Sequence, residues 1–95
     1  MAVVGEIRVR SASRNDWEAL DELVSVAIEA MGGPPTGLMV NMGRPVGDGF
    51  VVTSVWRTDS ELRQFHQAVL VPAFAEAGLE ADDLAVGPIW GLARP

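Results

Sequence analysis

The chain has 95 residues, 48% hydrophobic and 21% charged, a composition that suits one folded domain over residues 1–95 and disfavours a disordered chain. Seven basic residues, all Arg, against thirteen acidic ones give a net charge of −6, which disfavours a surface that tracks nucleic-acid phosphates. There is no Cys, hence no disulfide framework, thiolate metal site or Cys nucleophile.

Val3 to Arg10 alternates as a strand, with Val3, Ile7 and Val9 on one side. Ser13 then offers an N-cap and Asp16 its capping-box partner. Trp17, Leu20, Val24, Ala27, Ile28 and Met31 follow at helical spacing, opposite an acidic face, until Gly32-Gly33-Pro34-Pro35 ends the helix. Leu38–Met42 and Phe50–Trp56 read as two strands joined by a long hairpin loop, Gly43–Gly49. In the second, Phe50, Val52, Ser54 and Trp56 share one face and Val51, Thr53 and Val55 the other, so both faces are largely apolar. Thr58 and Glu61 form a second capping box, followed by the stripe Leu62, Phe65 and Val69. Pro72 kinks or restarts this helix, and Gly78 is placed as its C-terminal cap. Leu84–Ala93 reads as a last strand with Pro88 marking an edge or bulge.

The order β-α-β-β-α-β predicts an α+β, ferredoxin-like sandwich, an antiparallel sheet with two helices on one face. The bare, apolar side of that sheet predicts a homodimer that buries it. No apolar stretch approaches the roughly 18 residues of a membrane span, and no signal-type segment is visible, so a soluble cytoplasmic protein with no membrane partner is expected.

Gly37–Met42 with Gly47-Asp48-Gly49, Val55-Trp56, Thr58–Phe65 and Leu70–Gly78 resemble the antibiotic biosynthesis monooxygenase superfamily of small dimeric α+β-barrel proteins. The resemblance implies a ligand cavity between sheet and helices and, for some members, cofactor-independent oxygenation of aromatic polyketides. Where the similar branch carries a His in the second strand and a His-Asn pair near the end of the last, this chain has Asn41, Trp90 and Gly91. The Trp and haem-ligand His that haem-degrading relatives place nine and nineteen residues after the strand-three Trp are replaced by Phe65 and Ala75, which disfavours haem degradation.

His66 is the only His and the only side chain that ordinarily titrates near neutrality, so it is the candidate general base. Asn41, an amide within an apolar strand, is the candidate donor to a substrate anion, as oxygen chemistry without a cofactor requires. Trp56, Phe65, Ser54 and Trp90 are the candidate substrate-binding residues, the indoles as stacking walls for a flat ligand. Arg8 and Arg10 are expected at the dimer edge or paired with acidic helix residues. One His without Cys supports no metal site, and no cofactor is expected. The reading is a small enzyme that oxygenates, cyclises or isomerises a flat, apolar, polyketide-like molecule. The alternatives are a non-catalytic ligand-binding or interaction module of the same fold and, less favoured, a haem-binding protein using His66.

Overall fold

Four strands and a helical layer make up the computed structural model, which describes residues 1–92. In chain order these are β1 (Val3–Val9), α1 (Arg14–Ala30), β2 (Leu38–Val46), β3 (Gly49–Trp56), α2 (Asp59–Phe65), a π-helical turn (His66–Leu70), α3 (Val71–Ala77) and β4 (Ala85–Pro88). The sheet order is β2-β3-β1-β4 with every neighbouring pair antiparallel, the ferredoxin-like arrangement. None of the described helices is long and apolar enough to cross a membrane.

Local chemistry sets the helix ends. The Ser13 hydroxyl accepts from the Asp16 backbone N–H, and the Asp16 carboxylate accepts from the Ser13 N–H at 2.8 Å. At α2 the Thr58 hydroxyl accepts from the Glu61 backbone N–H and donates to the Glu61 carboxylate at 2.9 Å, so the cap is one-sided. Gly78 adopts the left-handed conformation (φ 69°, ψ 29°) that closes α3, and the Leu79 N–H returns to the Phe74 carbonyl at 3.0 Å. Pro72 lacks the N–H that an unbroken helix would need. The chain answers by widening one turn, so that the Val71 N–H reaches back to the His66 carbonyl, and then restarts with Pro72 in the first turn of α3.

Alternation along β3 divides the sheet into two faces. Phe50, Val52 and Trp56 join Ile7 and Val9 from β1, Leu20 and Val24 from α1, and Leu62, Phe65, Val69, Leu70, Ala73 and Phe74 from the later helical segments in one buried core. The opposite face carries Val4, Glu6 and Arg8 beside Val55, Thr53 and Val51, with Val40, Met42 and Arg44 on the far side. No layer of the chain's helices lies over that second face.

Three expectations change. The predicted loop Gly43–Gly49 is mostly strand: β2 runs to Val46, and only Gly47 and Asp48 make the turn. Pro45 is tolerated because β2 is an edge strand. The last strand ends at Pro88 instead of continuing to Ala93, the last residue of that predicted run lying outside the described residues. Arg10 pairs with Asp82 of the loop before β4, at 3.1 Å, and not with a helix.

Candidate functional site

Two aromatic pairs line the helix-facing side of the sheet. At one end Trp56, with no exposed surface, tilts against Phe65 at 5.1 Å between ring centroids. Its indole Nε1–H donates to Ser54 Oγ at 2.9 Å, a buried bond between residues that alternation puts on one face. Strand alternation put Trp56 and Ser54 on one face, and Phe65 of α2 packs against them there. Their polar atoms are already spent on each other.

At the other end Trp17 of α1 stands edge-on to Phe50, with centroids 5.5 Å apart and planes at 75°. Gly43 makes this possible. A Cβ there would lie 2.4 Å from the Trp17 ring, so only glycine lets the indole rest against β2. A groove of about 490 Å³ opens beside this pair, lined by Trp17, Phe50, Gly43 and Pro45 together with Ser13, Arg14, Arg44 and Asp48. A second groove of about 410 Å³ is lined by Met31, Pro35, Thr36, Gln64 and Phe65, with the buried Trp56 behind them.

Asp48 is held by its neighbour across the turn. The Ser11 backbone N–H and hydroxyl, the latter 3.2 Å from Oδ2, push the Asp48 carboxyl below its ordinary range, and Arg8 adds a smaller push in the same direction. Ser11 reaches Asp48 from a left-handed backbone (φ 51°), the one described non-glycine residue of that kind.

Asn41 stands on the helix-facing side of β2, in register with Ser54. It is exposed, two residues along the strand from Gly43, and lines neither groove. His66 opens the π-helical turn, half-buried, and also lines neither groove. Its Nδ1 is buried without a hydrogen-bond partner. Burial first, and then the Arg63 charge, lower the His66 pKa below its ordinary 6.5, so the ring is neutral at pH 7. Because the folded chain resists that proton more than the unfolded chain does, stability falls as pH drops below about 6.5. Urea midpoints measured from pH 7.5 to 5 will decline more for the native chain than for His66→Gln; parallel declines would remove His66 as their source.

Trp90 departs from its expectation. It lies beyond the end of β4 and is 97% exposed, so within one chain it walls no groove. The accessible aromatic wall is Trp17 instead, a residue the periodicity assigned only to the helix core. The signal that could have exposed it was the Gly43 gap in an apolar edge strand one layer away.

No protein-family model matches the chain, and no curated protein matches it in sequence. Solved structures do. NE2512, a protein of unknown function from Nitrosomonas europaea, superposes with a TM-score of 0.67 at 14% identity, over 99% of this chain and 94% of that one. SnoaB, a cofactor-independent oxygenase from Streptomyces nogalater, gives 0.60 at 16% identity, over 96% and 93%. A candidate antibiotic biosynthesis monooxygenase from Deinococcus radiodurans gives 0.56 at 18% identity, over 100% and 97%. The chain has the antibiotic biosynthesis monooxygenase-like fold. At these identities the likeness speaks for the antibiotic biosynthesis monooxygenase-like fold alone, and chemistry must come from the residues.

Proposed function

We propose that this protein is a homodimeric, cofactor-independent oxygenase or cyclase that takes a flat, apolar, polyketide-like substrate into the layer between helices and sheet. The observation that supports this most is the groove beside Trp17 and Phe50, where aromatic surface between the two layers meets solvent. A fused-ring ligand stacked on Trp17 gains apolar contact there. Arg14 lines the same groove and suits a phenolate or enolate oxygen. Asn41, farther along β2, offers an amide N–H to that anion, and His66, kept neutral, is the group able to accept the substrate proton.

The mutual satisfaction of Trp56 and Ser54, and the absence of His66 from both groove linings, favour a second reading: a binder that leaves its ligand unchanged. One experiment separates the two. A polycyclic phenol is titrated into the protein while Trp fluorescence reports binding and an oxygen electrode reports uptake. Oxygenation predicts uptake in step with product, lost in His66→Ala with binding retained. Saturable quenching without uptake, with the phenol recovered unchanged, supports the binder; recovery of an isomer without uptake supports the cyclase, and no quenching, uptake or product overturns both readings.

A further inference from the structure

The face of the sheet away from the helices has a buried, largely apolar centre, Val51, Thr53 and Val55 of β3, with Glu6 and Arg8 of β1 on one side of it and Val40, Met42 and Arg44 of β2 on the other. Val40, Val55 and Val4 form one row across it, Met42, Thr53 and Glu6 the next, and Arg44, Val51 and Arg8 the third. Val40 and Met42 are 38% and 46% exposed, an apolar flank that the described residues leave open.

Within that face Arg8 feels the exposed Asp48 of the turn, without an ion-pair contact among the described residues. None of the ion pairs among the described residues involves Glu6, Arg8 or Arg44. Arg8 Nε is buried with no acceptor, and the hydroxyl of Thr53, a residue only 9% exposed, is buried with no partner. A buried donor without an acceptor carries a desolvation penalty that a satisfied structure avoids. Two such atoms on one face, around one free carboxylate, mark a surface that is unfinished in the single chain.

We infer that the partner on this face is a second copy of the chain, locked by a reciprocal pairing of Glu6 with Arg8 of the partner subunit. This rests on the homodimer proposed above and specifies its interface. The face bears both charge signs, so a purely acidic partner would oppose Glu6 and a purely basic one would oppose Arg8 and Arg44. A surface carrying an anion and a cation at the same spacing satisfies both, and the face itself is such a surface. Glu6 and Arg8 are two residues apart on one strand, about 7 Å. A two-fold axis passing between them brings each Glu6 to the other copy's Arg8, because an isologous interface makes every contact twice. Glu6 lies beside Thr53 across the β1–β3 ladder, so its carboxylate there can also accept from the Thr53 hydroxyl.

Charge exchange tests the pairing by sedimentation equilibrium over the micromolar range. The native chain is expected to be dimeric. Glu6→Arg or Arg8→Glu alone sets like charges against each other and is expected to raise the dimer dissociation constant about 100-fold. The double exchange Glu6→Arg with Arg8→Glu recreates the pairs reversed and is expected to return within about tenfold of the native value. Should a reversed charge unfold the chain, Glu6→Gln and Arg8→Met keep the shapes and are expected to weaken the dimer about tenfold each. A native chain that sediments as a monomer overturns the homodimer itself. A native dimer whose single variants are unaffected, or are not rescued by the double exchange, overturns this pairing while leaving the dimer standing.

Discussion

Replacing Trp56 with alanine will cost about 3–5 kcal/mol of folding stability, the range for deleting a large buried aromatic side chain. Trp56 has no exposed surface and belongs to the core that joins β3 to the helical layer. Two losses add. The ring leaves a cavity beside Phe65, which it meets at 5.1 Å, and the Ser54 hydroxyl loses the indole donor at 2.9 Å. Trp56→Phe separates them in part, since it keeps a six-membered ring in the core while removing the N–H and the five-membered ring that carries it. It is expected to cost about 1–3 kcal/mol, the penalty for a buried polar group left unpaired together with the lost ring volume. Domains hold about 5–15 kcal/mol in total, so the alanine variant will sit near the edge of folding. Urea midpoints read by far-ultraviolet circular dichroism check this. An alanine variant with the native midpoint would show that Trp56 holds nothing together.

What could be read from sequence was what local chemistry decides. The box Ser13–Asp16 closes in both directions because its partners lie three residues apart, whereas at Thr58–Glu61 the hydroxyl caps the Glu61 N–H but the Glu61 carboxylate takes the Thr58 hydroxyl and not its backbone N–H. Pro72 offered two outcomes and the chain takes a restart, through a π turn that no local rule demanded. Gly43-Arg44-Pro45-Val46 has the composition of a loop yet forms strand, because β3 supplies the ladder and Trp17 covers the missing side chain. Both influences come from distant parts of the chain, and turn propensity does not see them.

The candidate site divides along the same line. Alternation placed Ser54 and Trp56 on one face, and they bond. It could not tell that they would satisfy each other, or that the ring beside an open groove would be Trp17. His66 and Asn41 were selected by residue type, which says what a side chain can do and nothing of where it points. Trp90 was assigned to a strand that stops at Pro88.

Gly49→Ala will be among the most damaging of the small substitutions, and it will act on the fold and the groove together. A Cβ at Gly49 would sit 1.9 Å from the Val9 carbonyl oxygen and 3.0 Å from the Arg10 Cα. Those are backbone atoms, which cannot swing aside as the end of a flexible side chain does. The backbone leaving β1 crosses the start of β3 here, held by the Ala12 N–H on the Asp48 carbonyl at 3.1 Å and by the Ser11 hydroxyl on the Asp48 carboxylate. Making room means separating β1 from β3 at that crossing, for which about 3 kcal/mol is expected, the upper end for overpacking a close-packed site. In a domain of this size that lowers the melting temperature by roughly 12–24 °C. The same crossing sets the start of α1 and so the position of Trp17 against Gly43, which means ligand quenching of Trp fluorescence should weaken along with stability. Gly91→Ala is the control, since a Cβ there meets nothing within 4 Å and should leave both readings at the native value. If Gly49→Ala melts with the native chain, β1 and β3 part at this crossing without cost, and the junction would not be what holds Trp17 at the groove.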